Sequence, residues 1–127
     1  MDKEEEIKKQ KEIEIKKQLE FAKESMGFIP EIMRLMGKEA PEWFNLYRAS
    51  DKAMWNDTAL SAKIKVLMAM AVVAGRLCPE CVEMQMKSAL NHGATKEEIL
   101  DVLGVVFVTS GAPGVNVCKE AMKKLLK

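Results

Sequence analysis

The 127-residue sequence predicts an all-α fold, a compact domain of six to seven helices, and three observations carry that expectation. Apolar residues recur three and four positions apart in the longer segments, the period of a helix buried on one face. Helix-start chemistry recurs where those patterns begin: Thr95-Lys96-Glu97-Glu98 is a capping box, Ser61 is a cap residue, and Pro30 and Pro79 stand where a first turn tolerates proline. No hairpin signal, internal repeat or low-complexity tract interrupts the series.

The elements follow in order. Residues 3–25 form a first helix whose stripe is Ile15, Leu19, Ala22 and Met26. Its first ten residues offer only Ile7 to an apolar face, so they fray or reach towards a neighbour. Gly27 ends it. A short second helix opens at Pro30, turns Ile32, Met33, Leu35 and Met36 to one side, and stops at Gly37. Pro41–Met54 is a third helix, with Trp43, Phe44, Leu46, Tyr47 and Met54 as bulky contacts. After the polar break Asn56-Asp57-Thr58, Ser61 caps a fourth helix through Ile64, Val66, Leu67, Met68, Met70 and Val72. Its later half is apolar nearly all round, which predicts burial on most sides, and Gly75 closes it.

A fifth helix starts at Cys78-Pro79-Glu80-Cys81, with Cys78 at the cap and Cys81 in the first turn, and ends at Asn91-His92-Gly93. The sixth runs from the capping box through Ile99, Leu100, Val102, Leu103, Val105 and Val106 to Val108. Its end is β-branched, but the pattern continuous from Thr95 favours helix over strand. Ser110–Gly114 is a helix–helix turn rather than a phosphate-binding loop. A last helix carries Val115, Val117, Cys118, Ala121, Met122, Leu125 and Leu126.

Composition narrows the function classes. A net charge of +1 argues against nucleic acid or an anionic membrane as a general partner, and the Lys/Glu-rich residues 2–20 are a solvated helix face rather than a basic arm. The N-terminus MDKEEEIKK lacks signal-peptide character, and the best candidate for a membrane span, Val66–Ala74, is too short. These features point to the cytoplasm, where three cysteines imply redox or metal chemistry rather than a disulfide framework. Ten methionines suit helix packing and subunit interfaces. The apolar sixth helix and the thin-striped first helix point to association between copies.

The Cys78–Cys81 turn is the feature that carries chemistry. A helix N-terminus has partial positive charge and unpaired N–H groups, and both stabilise a thiolate. Two cysteines so placed can exchange with disulfides or reduce a peroxide, one attacking and the other resolving. Which of them attacks is open. Two plainer readings stand beside this one. The pair is half of a zinc site, whose only other soft candidates are Cys118 and His92, or the cysteines are small buried residues, as is Cys118. Glu80 is a first-turn carboxylate, Glu83 faces away from Cys81, and His92 is a helix-end residue about 16 Å along the axis from Cys81. Arg76 and Lys87 are read as solvated charges. No cofactor motif is present.

The residues Leu60-Ser61 with Lys63 and Lys65, the apolar run to Ala74, Cys78-x-x-Cys81, Ala89-Leu90 and Gly93-Ala94-Thr95-Lys96-Glu97-Glu98-Ile99 resemble the carboxymuconolactone decarboxylase family, within it the alkylhydroperoxidase D-like branch. The upstream GFIPEIMRLM and LYRAS look like its N-terminal half. The resemblance begins near Gly27. It implies the family's helical domain over residues 27–127, preceded by a charged helix, residues 1–26, packed on the domain or on a neighbour. It also implies assembly into a homo-oligomer, a trimer or hexamer, and a CxxC pair that acts on a hydroperoxide or disulfide substrate and is recharged by a thiol reductant. The sequence departs from the branch twice. Gln85 stands where the branch has a His, four residues after the second cysteine, and Val66 stands where it has a Glu on the preceding helix. The relay position at Gln85 hydrogen-bonds but cannot carry a proton at neutral pH. The alternatives on this fold are a decarboxylase-like lactone-processing enzyme and a non-catalytic oligomeric binding protein.

Overall fold

A computed structural model describes residues 2–127. Among them are seven α-helices and one 3-10 turn, with no strand: α1 Lys3–Met26, α2 Glu31–Glu39, α3 Pro41–Asp51, the 3-10 turn Lys52–Trp55, α4 Ala62–Gly75, α5 Pro79–Asn91, α6 Lys96–Asn116 and α7 Lys119–Leu125. They divide into two compact units, one up to residue 53 and the other residues 54–127.

In the first unit α1 packs on α2 and α3. The helix is continuous from Lys3, and Glu4, Glu5 and Glu6 in its first turn complement the positive end of the helix dipole. Ala22 and Met26 are buried, while Ile15 and Leu19 are half-buried. Gly27 adopts the left-handed conformation (φ 84°) and donates its N–H to the Lys23 carbonyl, ending α1 as expected. Gly37 is a correction. It lies inside α2, buried, where an added Cβ would stand 3.1 Å from Ile15 Cγ2 and 3.7 Å from the Phe44 ring. Its smallness lets α2 approach α1 and α3, and the helix stops two residues later.

The expected third helix is also shorter. It ends at Asp51 and tightens into the 3-10 turn. Trp43, Leu46 and Tyr47 are not core contacts; Trp43 is 72% exposed. The inward face of α3 is Phe44 and, one turn on, the fully buried Arg48. The Arg48 guanidinium bonds Asp51 and lies 5.7 Å from the centroid of the Phe21 ring.

In the second unit α4 packs on α5 and α6, and α5 packs on α7. Ser61 caps α4 by accepting the Ile64 N–H at 3.2 Å, and Asp57 accepts the Ala62 N–H at 2.7 Å. Val66, Leu67, Met70 and Ala74 are buried, but Ile64, Met68 and Val72 form an exposed apolar stripe on the other side. Burial of α4 on most sides is therefore not what the chain adopts.

Helix α6 opens on the expected capping box: Glu98 accepts the Thr95 N–H at 2.9 Å and Thr95 accepts the Glu98 N–H at 3.1 Å. Lys63 of α4 pairs with Glu98 at 2.8 Å. The β-branched stretch to Val108 is helical. The expected turn over Ser110–Gly114 is a kink confined to Gly111 (φ 70°, ψ −171°), beyond which the helix resumes through Pro113. Gly114 is required there, since a Cβ would fall 2.8 Å from Ser110 Cβ. The last helix is accordingly split, with Cys118 in the turn between the end of α6 and α7. By length and composition α6 could cross a membrane, a candidate that the choice of Val66–Ala74 overlooked. In this fold it is kinked and buries Ile99, Leu103 and Val106 on one side.

Candidate functional site

The site begins with how α4 stops. Cys78 N–H bonds the Val73 carbonyl at 3.2 Å and Leu77 N–H bonds the Ala74 carbonyl at 3.0 Å. This is the Schellman pattern, which places Leu77 at the left-handed position usually given to glycine. Among the described residues, Leu77 is the non-glycine residue with positive φ, at 60°. Helix α4 ends at Gly75, as expected, and this glycine also allows close approach: a Cβ on it would stand 3.1 Å from Ser110 Oγ. Only Arg76 and Leu77 separate α4 from Cys78. So short a link reverses direction only through a left-handed residue, and the sequence supplies no glycine at that point.

Cys78 is thereby both the last residue of one helix cap and the first of the next. As N-cap of α5 it is extended (φ −110°, ψ 93°), its sulfur accepts the Cys81 N–H at 3.3 Å, and Pro79 follows at the first helical position. Cys81 lies in the first turn. The two are joined as a disulfide with Cα atoms 5.3 Å apart, and both are half-buried. The expected cap arrangement is present in full.

Gln85, one turn beyond Cys81, is half-buried, and its Oε1 is shielded from solvent without a hydrogen-bond partner. Ser88 is fully buried and its Oγ also lacks a partner. Sequence reading singled out Gln85 as the relay position but overlooked Ser88, because a polar residue inside an amphipathic pattern reads as solvated. Val66, on α4, is fully buried. Glu80 is exposed in the first turn, Glu83 pairs with Lys124 of α7 at 3.3 Å, and Arg76 and Lys87 are exposed.

The remaining candidates lie elsewhere. Cys118 is fully buried; its thiol donates to the Gly114 carbonyl at 3.4 Å, and burial pushes its pKa up. It is a core residue. His92 caps the C-terminus of α5, followed by Gly93 at φ 85°. Its Nδ1 lies 2.8 Å from the Ser88 carbonyl and its ring stacks on Trp55 with centroids 5.4 Å apart. A carbonyl only accepts, so Nδ1 carries the proton and neutral His92 presents a bare Nε2. Trp55, Asp57, Ser61, Lys63, His92 and Gly93 line an open cleft of about 480 Å³. Among the described residues, no three His, Cys, Asp or Glu side chains converge as a metal site.

Comparison with known proteins shows the family. Residues 41–124 match the model of the carboxymuconolactone decarboxylase family. An uncharacterized protein of Methanocaldococcus jannaschii is 34% identical over 99 residues, covering 77% of this chain and 95% of the relative. An uncharacterized protein of Cupriavidus necator is 30% identical over 87 residues, covering 68% and 77%. A carboxymuconolactone decarboxylase family protein from Legionella pneumophila has a crystal structure that superposes with a TM-score of 0.66 at 31% identity, over 72% of this chain and 81% of that one. The fold is also that of a Burkholderia xenovorans protein assigned to the same decarboxylase class, with a TM-score of 0.72 at 23% identity over 91% and 96% of the two chains.

Proposed function

The chain belongs to the carboxymuconolactone decarboxylase family, and from that membership we propose that it is a thiol oxidoreductase whose Cys78–Cys81 pair reduces hydroperoxides or exchanges disulfides. The observation that carries this reading is the disulfide at the N-terminus of α5, with Cys78 at the cap accepting a backbone N–H. On reduction, the same N–H and the helix dipole stabilise a thiolate. That thiolate attacks the terminal peroxide oxygen, the O–O bond breaks, and an alcohol leaves as its oxygen takes a proton. The resulting sulfenic acid is attacked by the second thiol, which releases water and closes the disulfide. An external dithiol returns two electrons through a mixed disulfide.

Gln85 and Val66 cannot relay protons. General acid–base help contributes about 10²–10⁴-fold, so turnover is slower than that of a homologue with His and Glu by about that factor. The exposed apolar faces of α4 and α6 suit assembly into a homo-oligomer, and the reading is of a cytoplasmic protein without nucleic-acid or membrane partners. The test is consumption of an organic hydroperoxide with dithiothreitol as reductant. Cys78→Ser and Cys81→Ser should each abolish it. A wild-type protein no faster than free dithiothreitol would favour a non-catalytic binding role.

One observation supports a second reading, lactone processing. His92 and Lys63, the latter paired with Glu98, line the same cleft, an imidazole and a cation. Decarboxylation of a carboxylated lactone, abolished by His92→Ala and untouched by Cys78→Ser, would replace the thiol reading.

A further inference from the structure

One edge of a buried guanidinium is idle. Arg48 is fully buried, its Nη1 bonds Asp51, and its Nε and Nη2 are shielded from solvent without a hydrogen-bond partner. Those two nitrogens form one side of the planar group. Their N–H bonds run parallel, the fork that grips both oxygens of a carboxylate. We infer that the seam between α1 and α3 binds a short aliphatic monocarboxylate, its head on the Nε–Nη2 edge of Arg48 and its tail in the adjoining groove. This is a site additional to the dithiol, within the first unit.

The seam is polar where packed helices are ordinarily apolar. Lys11 meets Glu42 at 3.4 Å, and Arg48 lies 5.7 Å from the centroid of the Phe21 ring, so α1 and α3 run side by side in the same direction. Lys11, Glu14, Gln18 and Phe21 recur three and four residues apart, on the side of α1 that meets α3. Asn45 stands one turn before Arg48 on α3. Gln18 Oε1 and Asn45 Oδ1 are also shielded and unpartnered. Among the described residues, four of the six such side-chain atoms thus belong to Gln18, Asn45 and Arg48. Buried polar groups left unpaired cost stability, which points to an occupant.

The groove beside the seam opens to solvent. It encloses about 410 Å³ between Lys11 and Glu14 of α1 and Pro41, Glu42, Asn45 and Leu46 of α3. Asn45 belongs to both groove and seam, so rotation of its side chain joins them. Pro41, Leu46 and the Lys11 stem give an apolar wall to a chain of a few carbons. Charge selects the head. One guanidinium edge matches one carboxylate, whereas a phosphate dianion would bury a second negative charge at a desolvation cost that neutral Gln18 and Asn45 do not offset. A half-turn of either carboxamide exchanges its oxygen for NH2, and this supplies donors to the remaining carboxylate lone pairs. Glu14 and Glu42 at the entrance are exposed and Glu42 pairs with Lys11, so solvent screens their repulsion.

The test reads Arg48 directly. The chain has three arginines, and Arg34 and Arg76 are exposed. The full-length variant Arg34→Lys/Arg76→Lys therefore leaves one arginine Nε–H signal in a heteronuclear NMR spectrum, that of Arg48. Sodium hexanoate should move this signal downfield to a saturating limit. Equimolar hexanol, which has the tail without the charge, and equimolar sodium chloride should leave it in place. Calorimetric titration with hexanoate should show an affinity that Arg48→Met lowers by about tenfold or more. The NMR titration decides the matter even if Arg48→Met does not fold. A signal that hexanoate does not move leaves the edge to water and overturns the inference. An equal shift with chloride assigns the edge to a small inorganic anion, and an equal shift with hexanol assigns binding to the apolar groove alone; each overturns it as well. So does an unchanged affinity in folded Arg48→Met.

Discussion

Leu77 offers the sharpest test of how the site is held. At φ 60° it occupies the left-handed position of the Schellman turn between α4 and Cys78. Its side chain is 52% exposed, so replacing it loses some packing as well as relieving the backbone. Comparing Leu77→Gly with Leu77→Ala removes that ambiguity, because both delete everything beyond Cβ. At an ordinary helical position glycine is less stable than alanine by about 0.5–1 kcal/mol. Here alanine keeps a Cβ in a conformation that costs about 1–2 kcal/mol for an L-residue. Glycine avoids that cost but gains about 0.4–1 kcal/mol of freedom in the unfolded chain. The difference leaves Leu77→Gly more stable than Leu77→Ala by about 0.5–1 kcal/mol, the opposite sign to the ordinary case. Urea unfolding of both variants with the disulfide intact, read by far-ultraviolet circular dichroism, measures it. A glycine variant less stable than the alanine variant would refute the turn assigned to Leu77.

Three further outcomes follow from the same geometry. The oxidised native protein should show no iodoacetamide-reactive thiol, and one after denaturation, because Cys118 is fully buried with its pKa raised by burial. Rapid labelling of Cys118 in the native state would contradict its core placement. The Glu98 carboxyl is held below its ordinary pKa, first by the hydrogen bond to Lys63 and then by the Thr95 backbone N–H. Its contribution is therefore complete above the ordinary glutamate range and is lost as pH falls through the depressed folded value. The stability gap between wild type and Glu98→Gln should be widest near neutral pH and close in strong acid, and a gap independent of pH would count against that pairing. Arg48→Ala removes a fully buried guanidinium with its Asp51 partner and its place over Phe21. The loss should be about 3–5 kcal/mol in urea unfolding, with a smaller loss for Arg48→Met, which keeps the stem volume. An unchanged Arg48→Ala would show that the pair contributes nothing.

What the sequence revealed divides along a physical line. Local chemistry was legible. Thr95, Ser61 and the Cys78-Pro79 start each satisfy orphan N–H groups or fit the first turn within three residues, so neighbouring letters specify them. Gly27 and Gly93 end helices through their own positive φ. Gly37 was misread as a helix stop because its reason for being glycine lies across space, at Ile15, and Gly75, which does end α4, has a second reason of that kind at Ser110. Leu77 carried no signal, since leucine rarely occupies a left-handed turn and the constraint comes from the length of the link. Apolar periodicity marked Trp43, Leu46, Met68 and Val72 as faces in need of cover, but period alone does not say whether the cover is this unit or another surface. The cap position of Cys78 could be read in advance. The shielded oxygens of Gln85 and Ser88 could not, because burial of a polar atom depends on what packs over the helix.

The most direct measurement counts thiols against hydroperoxide. Reduced protein with three free thiols is treated with one equivalent of an organic hydroperoxide, and the remaining thiols and the alcohol formed are quantified together. The thiol account expects two thiols lost per alcohol produced, with Cys78 and Cys81 joined and Cys118 untouched. Three thiols still free after the peroxide has had time to react, or a loss falling on Cys118, would contradict it.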